Sequence, residues 1–110
     1  MELGMRKASL TPAQKFLLTV MQESPFSRIE RLGVQTGQPV FGPETRVVQK
    51  IIPGGKNSAR PEVNAGNFVL KTEHIDLFEC LSRLGSGVVE TIEIHEGLPV
   101  KVEIEVKITK

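Results

Sequence analysis

The chain has 110 residues, of which 39% are hydrophobic, 25% charged and 5% aromatic, and its formal net charge is +1. This composition is typical of one globular domain and excludes a disordered chain, a collagen and a coiled coil. A single cysteine allows no internal disulfide. No apolar run is long enough for a signal peptide or for the roughly 20 residues that span a bilayer. We therefore predict a cytoplasmic protein with no membrane partner.

The first predicted element is a helix that begins after Thr11. Thr11 has the chemistry of an N-cap, Pro12 suits the first helical position, and Gln14 completes a capping box. The helix ends at Ser24-Pro25, because the residue before a proline disfavours helical geometry. Its apolar stripe consists of Ala13, Phe16, Leu17, Val20 and Met21.

Strands are predicted next. An alternating segment from Phe26 leads into turn chemistry at residues 36–38 (TGQ), and a return strand begins at Pro39. The run 46–52 is rich in β-branched residues and predicts a third strand, which Pro53-Gly54-Gly55 ends. Residues 53–66 (PGGKNSARPEVNAG) predict a loop that is either functional or mobile.

A second helix is predicted with Thr72 as its N-cap, and its C-terminal cap is predicted at Gly85. Its apolar stripe consists of Leu77, Phe78, Leu81 and Leu84. A strand over 88–95, a turn at Glu96-Gly97 and a strand over 99–109 complete the chain. The last strand alternates between an apolar face of Val100, Val102, Ile104, Val106 and Ile108, which predicts a core face, and a charged face of Lys101, Glu103, Glu105 and Lys107.

The two halves of the chain resemble each other. RIERLGVQTGQPV (28–40) aligned with VVETIEIHEGLPV (88–100) matches at Glu30/Glu90, Gly37/Gly97, Pro39/Pro99 and Val40/Val100. Since an isolated helix–hairpin unit cannot bury its own apolar face, two units are expected to share a core. We predict an α+β fold of two helix–hairpin (αββ) units with one extra strand, in which two helices cover one face of an antiparallel sheet of about five strands. The single domain 1–110 is divided into a flexible N-terminus (1–10), a first half (11–52), a loop (53–66) and a second half (67–110).

Residues 77–106 combine a capped helix, a glycine-containing break and a V-x-x-I-x-I-x-x-G hairpin. This pattern resembles small uncharacterised bacterial helix–hairpin proteins of the YezD type. The first half departs from it, because Pro25-Phe26-Ser27 stands where a glycine would precede the strand. The resemblance implies the fold and a bacterial origin, and it carries no activity over because that family has no established function.

Catalytic chemistry has little support in the sequence. Cys80 and His74 lie on different faces of one predicted helix, and with His95 they do not form a metal-ligand set, so we predict no metal, no cofactor and no enzyme. The one candidate acid–base pair is Glu30 and Glu90. Regular strands would turn these carboxylates towards the core and raise their pKa values, whereas a β-bulge, or a strand that starts one residue later, would turn them outward.

The charge is divided unevenly between the two halves. Residues 1–60 carry nine basic and four acidic side chains, and residues 61–110 carry five basic and nine acidic ones. This asymmetry indicates either an anion-binding face or two halves whose charges mix on one surface. A nucleic-acid or anion site would use Arg28, Arg31, Arg46, Lys50, Lys56 and Arg60.

Protein association is the function class that the predicted fold favours. A sheet built from hairpins has exposed edges, which can pair with a strand of a partner or of a second copy. The alternative is that the charges of the last strand simply block aggregation. We therefore predict a non-catalytic interaction module that self-associates or binds a protein partner, with nucleic-acid binding as the second hypothesis and an enzyme as the third.

Overall fold

The computed structural model describes residues 10–51, 53–54 and 71–105. Its elements, in chain order, are α1 (Pro12–Glu23), β1 (Phe26–Gln35), β2 (Gln38–Val40), β3 (Arg46–Gln49), α2 (Thr72–Leu84), β4 (Gly87–His95) and β5 (Leu98–Ile104). All strand pairs are antiparallel, and one core contains residues from both helices and from the sheet. The predicted α+β fold, with two helices and a five-stranded antiparallel sheet, is confirmed.

The two helices begin with related caps. Thr11 Oγ1 accepts a hydrogen bond from Gln14 N–H at 3.1 Å, and Gln14 Oε1 accepts one from Thr11 N–H at 3.0 Å, as the capping box predicts. The N-cap of α2 is Lys71 and not Thr72. The prediction was wrong by one residue because His74, rather than a hydroxyl, completes this cap: its Nδ1 accepts a hydrogen bond from Lys71 N–H at 3.3 Å.

Each hairpin closes through a two-residue turn. Thr36 and Gly37 have φ values of 51° and 76°, and Glu96 and Gly97 have φ values of 53° and 78°. Two successive residues with positive φ make a type I′ turn, whose twist matches that of the strands it joins. Both turns lie where the sequence predicts them.

The strand order is β2-β1-β4-β5, and β3 pairs with β1. Strands β2 and β3 lie one after the other along the same edge of β1, since β2 pairs with residues 33–35 and β3 with residues 27–30. The extra strand therefore does not widen the sheet. It continues the edge beyond the loop 41–45, and it ends at Gln49, before Ile52, which lies outside the described residues.

The core fills the space between the helices and one face of the sheet, here called the helix face; the opposite face is the open face. Leu18 is buried, whereas Phe16, predicted on the core stripe, is 54% exposed. Val100 is also exposed, because it is the extra residue of a β-bulge that lies between the pairs Ile94–Pro99 and Glu93–Lys101. The fully buried apolar side chains include Leu17, Leu18, Met21, Ile29, Leu32, Leu81, Val89, Ile92 and Ile94.

Positions 60 residues apart have matching roles in the described structure. Gly37 N–H donates to the Gly85 carbonyl oxygen at 2.7 Å, and Gly97 N–H donates to the Pro25 carbonyl oxygen at 3.1 Å. Each hairpin turn is therefore anchored to the residues that follow the helix of the other half. This exchange ties the two halves into one unit, because neither turn has this backbone partner within its own half.

Candidate interaction site

An open groove lies between α2 and β5. Its volume is about 440 Å³, and it is lined by Glu73, Asp76, Leu77, Cys80, Pro99, Val100, Lys101 and Val102. The helix contributes the two carboxylates on one rim, and the strand contributes Lys101 and the apolar side chains opposite. The groove therefore combines an apolar floor with an acidic rim.

The corresponding place beside α1 is closed by two aromatic rings. Phe16 and Phe41 pack edge to face, with ring centroids 4.9 Å apart. By the offset of 60, Phe16 corresponds to Asp76. Register gives the counterpart of Phe41. Val40 pairs with Gly33 and Lys101 pairs with Glu93. The following residues therefore match: Phe41, just after the end of β2, and Val102 within β5. Val100, which the sequence alignment matches with Val40, is the extra residue of the bulge, so strand register sets Lys101 rather than Val100 at the position of Val40.

The two edges of the sheet are built differently. On one edge, β2 and β3 have three and four residues and are separated by a loop in which Gly42 N–H donates to Thr45 Oγ1 at 3.1 Å. On the other edge, β5 has seven residues and, among the described residues, pairs only with β4. From Lys101 to Ile104, beyond the Val100 bulge, β5 presents an uninterrupted edge beside the groove.

The basic residues predicted as an anion site converge on the sheet, but each one that the structure describes lies beside a carboxylate. Arg28 Nε is 2.7 Å from Glu30 Oε2, and Lys50 Nζ is 2.6 Å from Glu93 Oε2. Arg46 lies 3.9 Å from the second oxygen of Glu30. Lys56 and Arg60 lie outside the described residues, so the prediction of an anion or nucleic-acid site stays a prediction.

Arg31 explains the position of the two candidate acid–base glutamates. Its φ of 58° interrupts the alternation of β1, so Glu30 and Arg31 both lie between the buried residues Ile29 and Leu32. Glu90 lies next to the buried Val89 and contacts Arg31 Nη1 at 3.4 Å. Both glutamates are only partly buried and neither enters the core, because Arg31 breaks the alternation of β1 and a register shift between Val89 and Thr91 interrupts the pairing of β4 with β5.

The electrostatics of Glu30 and Glu93 are set by their basic neighbours. The hydrogen bond from Arg28 holds the pKa of the Glu30 carboxyl below its ordinary value, although partial desolvation opposes this shift. The hydrogen bond from Lys50 lowers the pKa of Glu93 in the same way. A glutamate that acts as a proton donor near neutral pH needs a raised pKa, so the direction at Glu30 is opposite to the one that the acid–base hypothesis requires.

The histidine and cysteine of α2 have separate environments. His74 is buried, and its Nε2 lies 3.1 Å from the Gly97 carbonyl oxygen, to which it donates when its Nδ1 accepts the Lys71 N–H. Cys80 is partly exposed and lines the groove. The recorded contacts of His74 are with the backbone of Lys71 and Gly97, whereas Cys80 faces the groove.

A second, shallower depression of about 250 Å³ lies on the first hairpin, beside Arg31. Arg31 Nε contacts Glu44 Oε1 at 3.3 Å across it, and exposed Val40 and Val88 flank Gly33 on its floor. This depression lacks a continuous strand edge, because the loop 41–45 forms its wall.

The comparisons with known proteins give no relative: no family model, no curated protein and no solved structure matches the chain. The resemblance to YezD-type proteins stays a prediction. In the described ranges, no group of three or more His, Cys, Asp or Glu side chains is arranged to hold a metal ion. Neither of the two described helices has the length and apolar character needed to cross a membrane.

The groove is not evident from the sequence. The feature of the sequence that indicates the groove is that Asp76 and Val102 stand where the first half has Phe16 and Phe41. This correspondence is found only when the two halves are aligned by strand register. The one-residue bulge at Val100 hides this correspondence in the sequence. Register, which depends on tertiary pairing, was therefore needed to find the site.

Proposed function

We propose that the protein is a non-catalytic interaction module that binds an extended segment of another protein along the edge of β5. The observation that carries this proposal is the difference between the two edges: β5 is continuous beyond its bulge and unpaired on its outer side within the described residues, whereas the opposite edge is broken by a loop. An added strand would gain main-chain hydrogen bonds from β5 and side-chain contacts from the groove.

We propose further that the chain contains an internal repeat of two αββ units related by a pseudo-two-fold axis. The register of β1 with β4 supports it: the ladder from Phe26–His95 to Val34–Gly87 is centred on Glu30–Thr91, so its midpoint lies where paired residues are about 60 apart, as a two-fold axis with an offset of 60 requires. The reciprocal hydrogen bonds of Gly37 and Gly97 support it independently. The broken edge then belongs to one unit and the continuous edge to the other, so binding at β5 would use only the second unit.

Self-association is the alternative occupant of the same edge. An antiparallel pair of β5 strands centred on Val102 would set Lys101 of each copy opposite Glu103 of the other, which is favourable. The same arrangement would bring together the two acidic rims formed by Glu73 and Asp76, which repel each other. We therefore favour a strand of different charge over a second copy.

A displayed library of random heptapeptides tests the proposal. Peptides enriched on the purified protein are synthesised, and amide hydrogen exchange is measured with and without them. We expect slower exchange of the outward-facing amides within residues 100–104, and no change in residues 46–49, which serve as the control edge. Sedimentation of the free protein over a range of concentrations measures self-association at the same edge.

Three outcomes decide the question. Protection confined to β5 supports the proposal. Concentration-dependent dimers that protect β5 identify a second copy as the occupant and overturn the choice of partner. Failure to enrich any peptide that protects β5, together with a monomer at high concentration, overturns the interaction module.

A further inference from the structure

We infer that the groove between α2 and β5 selects an extended peptide in which an apolar side chain is flanked, two residues away on each side, by Lys or Arg. This inference rests on the proposed function and deepens it, because it assigns the chemistry of the bound segment. The occupant is a basic segment of another protein, added as a strand to β5.

The apolar part follows from the lining of the groove. Leu77 and Cys80 on the helix face Pro99 and Val102 on the strand. In an added strand, alternate side chains point to the same face of the sheet, so one of them enters this groove while its immediate neighbours project onto the open face. A volume of about 440 Å³ accommodates a Val or Leu side chain without rearrangement of the floor.

The basic part follows from the rim. Glu73 and Asp76 line the groove, and within the described residues neither has an ion-pair partner. Lys101, which also lines the groove, is paired with Glu103 at 3.6 Å, so its charge is already offset. A peptide residue two positions from the inserted side chain lies on the same face, about 7 Å along the strand, and a long basic side chain there reaches the rim.

The first half of the chain provides an internal comparison. There the equivalent space is filled by the Phe16–Phe41 pair, while Asp76 and Val102 leave it open in the second half. The same architecture therefore exists in a closed and an open form. This difference confines peptide binding to the second half and supplies the substitution that should abolish it.

The test uses two synthetic peptides, acetyl-TKTVTKT-amide and acetyl-TETVTET-amide, each with a fluorescent label. Both place Val at the inserted position and differ only in the charge of its flanking residues. Binding is measured by fluorescence anisotropy and by the rate at which a maleimide alkylates Cys80, the only cysteine of the chain, which lines the groove. We expect the basic peptide to bind at least about tenfold more tightly than the acidic one and to slow the alkylation.

Two variants locate the binding. Asp76→Phe/Val102→Phe copies the aromatic pair of the first half, and it should abolish binding of the basic peptide. Glu73→Lys/Asp76→Lys should weaken that binding about tenfold or more and bring the acidic peptide to comparable affinity. The matched control is Glu79→Lys, on the exposed surface of the same helix and outside the groove, which should leave both affinities within about twofold because an exposed charge pair contributes little. Circular dichroism confirms that each variant is folded.

The outcomes separate the inference from the proposed function. If library peptides protect β5 but bind equally to the protein and to folded Asp76→Phe/Val102→Phe, or show no preference for basic residues, the inference is overturned and the interaction module stands. If the basic peptide binds without slowing the alkylation of Cys80, the groove is not its site and the inference is likewise overturned. If no library peptide protects β5, the proposed function itself fails.

Discussion

The glycine of the first hairpin turn is a position where one methyl group tests the contact between the two halves. Gly37 has a φ of +76°, which costs an L-residue about 1–2 kcal/mol. A Cβ built on Gly37 would lie 3.2 Å from Ser82 Cα, a backbone atom of α2 that cannot turn aside. Making room would lengthen the 2.7 Å hydrogen bond from Gly37 N–H to the Gly85 carbonyl oxygen, which contributes about 1 kcal/mol. We therefore expect Gly37→Ala to lower the free energy of unfolding by about 2–3 kcal/mol.

Urea denaturation followed by circular dichroism measures this loss, with Gly54→Ala as the matched control. Gly54 has a φ of +78°, but no atom lies within 4 Å of a Cβ built there, so only the backbone strain applies. We expect the control to lose about 1–2 kcal/mol, which is about 1 kcal/mol less than Gly37→Ala, and to keep the same slope against urea. Equal losses in the two variants would refute the reasoning, because they would mean that the contact with Ser82 carries no energetic weight.

Three other predictions test the open face, the cap of α2 and the second function hypothesis. Basic neighbours lower the pKa values of Glu30 and Glu93, so the stability that these carboxylates give the fold is complete above the ordinary glutamate pKa and is lost as the pH falls through the lowered values. Glu30→Gln/Glu93→Gln should therefore flatten the acid limb of a plot of unfolding free energy against pH. An unchanged limb would contradict this. His74→Ala should lower the free energy of unfolding, measured by urea denaturation, by about 2–4 kcal/mol. His74→Gln should lower it less, because a glutamine can accept the N-cap N–H as Gln14 does in α1. Equal losses in the two variants would argue against the cap. A labelled single-stranded oligonucleotide should bind the protein weakly and dissociate by about 0.2 M salt, because the described basic residues of the predicted site already lie beside carboxylates. Tight binding at that salt concentration would restore the nucleic-acid hypothesis.

The features that the sequence predicted well are governed by short-range chemistry. The capping box at Thr11, the end of α1 at Ser24 and the two type I′ turns each involve residues within four positions of one another. A side-chain cap or a glycine with positive φ acts on its immediate backbone, so its signal survives without knowledge of the tertiary structure. The cap of α2 shows the limit, because a buried histidine replaced the expected hydroxyl.

The features that the sequence did not predict depend on strand register. Phe16 fits the apolar period of α1, yet it lies outside the buried core and packs on Phe41, beyond the end of β2. The positive φ of Arg31 and the bulge at Val100 each reverse the alternation of a strand, so every following side chain moves to the other face. The groove lies at such a bulge, so its lining could not be read from periodicity alone.

The opposite charges of the two halves acquire a physical explanation from the pairing of β1 with β4. Lys50 of the first half meets Glu93 of the second, and Arg31 meets Glu90, so part of the basic excess neutralises part of the acidic excess on one surface. The carboxylates of Glu73 and Asp76 are excluded from this neutralisation, because α2 holds them on the helix side of the sheet at the rim of the groove. A charge left uncompensated beside an apolar groove and an unpaired strand edge attracts a partner of opposite sign and repels a second copy of the same chain. On this argument, raising the salt concentration should weaken the binding of a basic strand and strengthen any self-association, so the two occupants of β5 respond to one variable in opposite directions.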